Sequence, residues 1–224
     1  LEKLVGERTE ALEATGANLE RSNKELEQFA YVASHDLQEP LRMVASYTQL
    51  LAERYASQLD DKARKYIGYA VDGAVRMQTL IDDLLAYSRV NTQGKAPEAT
   101  DANQVLGEVR RTMQGAIEES GGIVTSDDLP TVRFDAGQLP LVFQNLIGNA
   151  IKFRGAEPPR VQVSVRDAGH EWVFSVKDNG IGIEAQYADR VFVIFQRLHT
   201  RQDYPGTGIG LAVCKLIVER HGGR

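Results

Sequence analysis

The chain is organised around the stretch Ser34-His35-Asp36-Leu37-Gln38-Glu39-Pro40-Leu41-Arg42. One histidine lies beside an acid, within a pattern that predicts a long helix. His35, Glu39 and Arg42 share one helical face, which is polar and expected to be solvated. Pro40 has no N–H to donate, so the helix should bend or loosen there. This stretch alone fits a reactive imidazole or an ordinary surface histidine.

Composition and net charge exclude several classes of protein. The chain has 224 residues and a net charge of −5, which allows one or two domains and argues against a general nucleic-acid surface. The single cysteine, Cys214, excludes an internal disulfide and is predicted to be a small core residue. We find neither a signal peptide nor an apolar run of the roughly 18 residues that span a membrane. We therefore expect a cytoplasmic chain, with any membrane segment or sensor domain preceding Leu1.

The first 33 residues carry a heptad pattern, with an apolar residue every seventh position at Val5, Leu12, Leu19, Leu26 and Ala33. The pattern predicts a parallel two-stranded coiled coil, which we assign to a signalling helix over residues 1–28. A solitary amphipathic helix is the alternative.

A helical hairpin is predicted for residues 29–92. The first helix continues to about Tyr55, and Asp60 or Asp61 can cap a second helix over residues 61–90. Two such hairpins, one from each chain of a homodimer, would form a four-helix bundle. Residues 93–100 contain a glycine and a proline and read as a linker.

Residues 101–224 alternate between helical and strand patterns and predict an α/β domain. A hairpin of two strands, 161–165 and 172–176, is predicted to turn at Asp167-Ala168-Gly169. The other predicted elements are a helix near 101–119, strands at 123–125 and 131–134, and helices at about 137–153 and 207–221.

Polar side chains of the helix at 137–153 suggest a nucleotide site. Asn145, Asn149 and Lys152 fall on one helical face. An amide oxygen suits Mg²⁺ and a lysine suits phosphate, although such a face is equally compatible with ordinary solvated surface.

Two glycine-containing motifs follow. Asp178 precedes Gly180 and Gly182 at a strand end, where its carboxylate can accept from an exocyclic amine such as that of adenine. Gly206-Thr207-Gly208-Ile209-Gly210-Leu211 opens a helix and predicts an anion site. Phe192 is predicted to pack in the core, and Trp172 is predicted to be a core or half-buried packing residue. Each motif is weak by itself, but their order after the histidine stretch is specific.

The histidine stretch and these motifs resemble the sensor histidine kinases of two-component systems, and the stretch from His35 to Arg42 is similar to the phytochrome-like subgroup. The resemblance covers about residues 20–224. It implies a dimerisation and histidine-phosphotransfer domain followed by an α/β two-layer sandwich of the Bergerat (GHKL) type. It also implies ATP and Mg²⁺ as cofactors, autophosphorylation, and phosphotransfer to the aspartate of a response-regulator receiver domain.

The resemblance also implies residue roles. His35 would be the phosphoacceptor and Asp36 its base or orienting partner, while Asn149 would hold Mg²⁺. The implied nucleotide-binding residues are Asn145, Asn149, Lys152, Phe153, Asp178, Gly180, Gly182, Gly206, Thr207, Gly208, Gly210 and Leu211.

The chain departs from the family pattern in two places, which limits the properties that the resemblance implies. Many relatives have Thr or Asn where this chain has Glu39, and a carboxylate there repels an aspartyl phosphate. We therefore do not expect strong phosphatase activity by that route, although Gln38 could substitute. The family's sheet also continues with a C-terminal hairpin after the positions of Gly222 and Gly223, and we expect this chain to lack it. The alternatives are a mechanical GHKL ATPase of the gyrase or heat-shock chaperone kind, and a pseudokinase scaffold.

Overall fold

The computed structural model divides into two units, Leu1–Thr92 and Gln93–Arg224. It describes residues 16, 21, 36–92, 94–200 and 203–224. Most of the predicted coiled coil and His35 therefore lie outside the described residues. Gly16 and Arg21, the two described positions of the coiled-coil segment, are helical.

The first unit contains the predicted helical hairpin. Helix α1 covers residues 36–54 and continues through Pro40, and α2 covers Asp61–Thr92. The carboxylate of Asp60 accepts from the N–H of Ala63 at 2.7 Å, so Asp60 is the residue that caps α2. The Gln38 amide donates to Asp82 at 2.7 Å and joins the start of α1 to the end of α2, which makes the two helices antiparallel.

The second unit combines helices with two small sheets. Its strands are β1 (Glu98–Asp101), β2 (Ile123–Ser126), β3 (Thr131–Phe134), β4 (Arg160–Asp167) and β5 (Trp172–Lys177). Its helices are α3 (Ala102–Thr112), α4 (Gln114–Glu119), α5 (Leu139–Lys152) and α6 (Gly210–Arg220), with short 3₁₀ turns at Ala185–Tyr187 and Arg190–Phe192.

Strand β4 lies between β2, to which it is parallel, and β5, to which it is antiparallel. The predicted turn at Asp167-Ala168-Gly169 is confirmed, because Gly169 has a φ of 84° and its N–H donates to the Asp167 carboxylate at 2.7 Å. Strand β1 pairs with β3 in a separate two-stranded sheet. Residues 98–100, which the sequence predicts to be linker, are therefore part of β1.

The core lies between the helices and the sheet, which confirms the two-layer α/β architecture. Leu106 of α3, Ile147 of α5 and Val163 of β4 are each at most 1% exposed. Cys214 of α6 is also buried, and this burial raises the pKa of its thiol to about 12. The thiol stays protonated at neutral pH, as expected of a core residue. Within the described residues, no helix is long and apolar enough to cross a membrane.

Three local predictions are wrong. The predicted helix at 101–119 is interrupted at Met113, between α3 and α4. The last helix begins at Gly210 and not at residue 207, because Gly206 and Gly208 have φ values of 145° and 79°, which are incompatible with a right-handed helix. Phe192 is 41% exposed and is not a core residue. Trp172 is 45% exposed, which excludes the core and fits the half-buried alternative.

A buried aspartate joins the start of the second unit to the residue that follows its last helix. Asp135 is 3% exposed and accepts from the N–H of Lys95 at 2.6 Å and from that of Gly137 at 2.8 Å, through different oxygens. Its own N–H donates to Nε2 of His221 at 3.0 Å. The other ring nitrogen of His221, Nδ1, therefore carries the proton and donates to Ile217 at 2.8 Å.

Replacing Asp135 with asparagine is expected to destabilise the second unit by about 2 kcal/mol, because one oxygen becomes an amide donor that faces a backbone donor. Trp172 is the only tryptophan of the chain, so its fluorescence during urea unfolding measures the change. Asp189→Asn is the matched control at an exposed carboxylate. Identical unfolding midpoints for the two variants would contradict the assignment.

Candidate nucleotide-binding site

The polar face of α5 forms the floor of the candidate site. Asn145 donates from its amide to the carbonyl of Leu141 at 2.9 Å, and its Oδ1 is turned toward the first residue of α6. A Cβ atom at Gly210 would lie closer to this Oδ1 than real Cβ contacts allow. Gly210 is therefore the residue that lets α6 begin directly against α5.

Lys152 is the last residue of α5 and carries the positive charge of this face. Its Nζ is 4.4 Å from the centroid of the Phe153 ring, a cation–π contact. A Cβ atom at Gly206 would lie 2.9 Å from the same Nζ. The ammonium group is therefore held between an aromatic ring and the backbone of residues 206–209, which we call the glycine loop.

Residues 178–182, which we call the aspartate turn, are attached to the end of α5. The N–H of Ile181 donates to the carbonyl of Phe153 at 3.0 Å, and a Cβ atom at Gly180 would lie 2.6 Å from that oxygen. Asp178 accepts from the N–H of Gly180 at 2.7 Å through Oδ1, which orders the exposed carboxylate. Gly182 has a φ of 71° and completes the turn.

Sequence reasoning assigned no role to Asn179, which holds this turn in place. Its Oδ1 accepts from the N–H of Arg160 at 2.7 Å, and its Nδ2 donates to the carbonyl of Pro158 at 3.1 Å. The aspartate turn is thereby fixed to the start of β4. The Asp-Asn-Gly sequence was the available signal, since asparagine side chains often bond to nearby backbone in turns.

The glycine loop leads into the N-terminus of α6. The carbonyl of Gly208 accepts from the N–H of Phe195 at 3.0 Å, and Phe195 is held at a φ of 65°, the one positive φ among the described non-glycine residues. Helix α6 has no side-chain cap at its N-terminus. The first N–H groups of any helix lack intrahelical partners, and because no side chain caps those of α6, they are suited to bind an anion.

These contacts bring together most of the residues that the sequence predicts for the site. The end of α5 contacts both the aspartate turn and the glycine loop, while Asn149 lies one turn beyond Asn145 and is half-buried. Thr207 and Leu211, in the loop and at the start of α6, are also half-buried. Asp36 is exposed in α1. Their individual roles remain predictions.

The residues present fit a magnesium nucleotide. No group of three or more histidine, cysteine or acidic side chains that could enclose a metal occurs among the described residues. Mg²⁺ usually takes few protein ligands and completes its octahedron with waters and phosphate oxygens, so an amide oxygen beside a phosphate-binding loop suits it. Lys152 and the α6 N-terminus provide positive charge for the phosphates, and the Asp178 carboxylate provides an acceptor for a base amine.

Both units match known families. Residues 134–224 match the family described as histidine kinase-, DNA gyrase B-, and HSP90-like ATPases, and residues 25–93 match the His Kinase A (phospho-acceptor) domain. The second unit is thus an ATP-binding domain of the GHKL class. Because the phosphoacceptor domain precedes it in the same chain, the protein belongs to the sensor histidine kinases.

Its relatives include phytochromes. The chain is 56% identical to cyanobacterial phytochrome A of Nostoc sp. over 92% of its own length and 27% of that protein. It is 49% identical to the phytochrome-like protein Cph1 of Synechocystis sp. over 99% of its own length and 30% of that protein. The chain therefore spans less than a third of the length of these relatives.

Solved structures show the same fold. Full-length ShkA, solved in complex with AMPPNP, is 25% identical with a TM-score of 0.62, over 87% of this chain and 41% of ShkA. Histidine kinase ThkA, solved with response regulator protein TrrA, is 20% identical with a TM-score of 0.60, over 93% of this chain and 60% of that chain. At this identity the likeness to ThkA concerns the fold alone.

Proposed function

We propose that the chain is the kinase core of a sensor histidine kinase, in which ATP bound to the second unit phosphorylates His35. The observation that carries this proposal is the convergence at the end of α5. There Lys152 contacts Gly206, and the Phe153 carbonyl contacts the aspartate turn. One end of this site can bind a base amine and the other can bind phosphates, within a chain that also contains a phosphoacceptor domain.

The proposed reaction is an in-line displacement at the γ-phosphorus of ATP. The lone pair of neutral His35 forms the N–P bond, the bond to the ADP oxygen breaks, and the other ring nitrogen gives its proton to Asp36 or to water. Asp36 orients the imidazole and stabilises the charge that develops on it. Lys152 and the α6 N-terminus stabilise the phosphate oxygens, and Asn149 would hold Mg²⁺, which neutralises phosphate charge when bound.

The hairpin supports the proposal that the protein acts as a homodimer. Leu37, Val44 and Leu51 recur at seven-residue intervals along α1 and are about half exposed, at 53%, 50% and 49%. Such a stripe requires an apolar partner, and a second hairpin would provide one. Among the described residues of the hairpin, the other exposed large apolar side chains are Met43, Tyr47, Leu50, Tyr55, Tyr66, Tyr69, Val75 and Met77.

The proposed acceptor of the phosphoryl group is the aspartate of a response-regulator receiver domain. The match of residues 25–93 to a phosphoacceptor domain supports this partner. Gln38, which could replace the family's Thr or Asn in dephosphorylation, donates to Asp82 at 2.7 Å, and Glu39 is exposed. We therefore propose that the chain acts mainly as a kinase. We also propose that the parent protein has an upstream sensor domain and that this chain is located in the cytoplasm.

The test is incubation with ATP radiolabelled at its γ-phosphate. Label that enters the protein, is lost in acid and survives in base is expected, because the N–P bond of phosphohistidine is acid-labile. Release of phosphate without labelling of the protein would favour a mechanical ATPase instead. ATP binding with neither outcome would favour a pseudokinase scaffold.

A further inference from the structure

Three aromatic rings join the end of α5 to the segment that precedes the glycine loop. The centroid of Phe153 is 5.1 Å from that of Tyr204 and 6.1 Å from that of His199, and the two latter rings are 5.3 Å apart. All three distances lie in the range of favourable aromatic pairs. We call these residues the aromatic cluster.

Two hydrogen bonds hold the backbone around the aromatic cluster. The N–H of Phe195 donates to the carbonyl of Gly208 at 3.0 Å, and the Arg197 guanidinium donates to the carbonyl of Tyr204 at 2.6 Å. Together these bonds join Phe195 to Gly208 and Arg197 to Tyr204. The described residues next to His199 and Tyr204 are therefore held by hydrogen bonds as well as by the ring contacts.

The cluster continues directly into the charged part of the nucleotide site. The Phe153 ring that contacts Tyr204 also lies 4.4 Å from Nζ of Lys152, and that ammonium group lies against Gly206. Tyr204 is only two residues before Gly206. A shift of Tyr204 would therefore move both the ring beneath the ammonium group and the glycine beside it.

We propose that Tyr204, assisted by His199, is a positioning residue for ATP. By contacting Phe153, it keeps Lys152 at the glycine loop, where the nucleotide phosphates are proposed to bind. This inference rests on the proposed function. It assigns Tyr204 no contact with the reacting atoms.

Tyr204→Leu is expected to raise KM for ATP roughly three- to tenfold, the equivalent of one or two aromatic pairs. Because no reacting group is lost, kcat should change by less than about twofold. Tyr204→Phe keeps the ring and should restore the wild-type KM. KM and kcat come from initial rates of protein labelling at varied ATP concentrations. Equal KM values for the leucine variant and the wild type would overturn the inference.

Histidine variants supply a matched comparison. His199→Ala should raise KM by less than Tyr204→Leu, because the shortest of the three ring distances, between Phe153 and Tyr204, is retained. His170→Ala changes an exposed histidine outside the site and should leave KM unchanged. Equal KM values for the two alanine variants would remove His199 from the proposal.

A double-mutant cycle tests whether Tyr204 acts through Lys152. Binding of a fluorescent ATP analogue is compared for the wild type, Tyr204→Leu, Lys152→Ala and the double variant. Non-additive losses are expected, because the ammonium group that Tyr204 positions is absent from the double variant. Additive losses of binding free energy would contradict the inference that Tyr204 acts through Lys152. A wild-type protein that binds the analogue but never becomes labelled would instead refute the proposed kinase function, while the binding cycle would still test Tyr204.

Discussion

Replacing His35 with glutamine is expected to reduce incorporation of the γ-phosphoryl group to background while ATP affinity stays unchanged. The lone pair of an amide nitrogen is delocalised and cannot attack phosphorus, so the acceptor is lost. The residues proposed to bind ATP belong to the second unit, which begins at Gln93. Protein labelling measures the first quantity, and binding of a fluorescent ATP analogue measures the second.

His170→Gln is the matched control, since His170 is an exposed histidine between β4 and β5. It should be labelled like the wild type. Persistent acid-labile label in His35→Gln would show that another residue is the phosphoacceptor. A parallel loss of ATP binding would show that His35 contributes to the nucleotide site, contrary to its proposed role as acceptor.

Replacing Gly208 with alanine is expected to lower ATP affinity at least roughly tenfold. Gly208 has a φ of 79°, and its Cβ atom would lie 2.6 Å from the carbonyl oxygen of Gln196. The left-handed backbone alone costs alanine roughly 1–2 kcal/mol, and the contact with a backbone oxygen cannot be relieved by a rotamer change. The loop must therefore move away from Phe195, and binding of the fluorescent analogue reports the consequence.

Gly169→Ala separates the effect of the left-handed backbone from the effect of the steric contact. Gly169 also has a left-handed φ, 84°, but a Cβ atom there would have no neighbour within 4 Å. This control should lose some stability, measured by urea unfolding, and keep its ATP affinity. Equal ATP affinities for Gly208→Ala and the wild type would mean that the geometry of the glycine loop does not determine nucleotide binding.

Much of the candidate site could be predicted because its chemistry is encoded locally. Asn145 and Lys152 share a face by helical periodicity, and glycines at fixed spacing before an apolar helix predict an anion site. Asn179 and Tyr204 were missed for the opposite reason. Their roles depend on partners distant in sequence, since Asn179 bonds to residues near 160 and Tyr204 contacts Phe153.

The sequence by itself determined the elements whose causes are local: an aspartate cap at the start of α2, the turn at Gly169, and the amphipathic faces of α2 and α5. The tertiary structure alone decided β1, in which Glu98, Ala99 and Asp101 have little strand preference and form a strand by pairing with β3. It also decided the junction of Asp135 with His221 and the aromatic cluster. Capping and turn formation depend on a few neighbouring residues, whereas strand pairing and ring contacts require segments that only folding brings together.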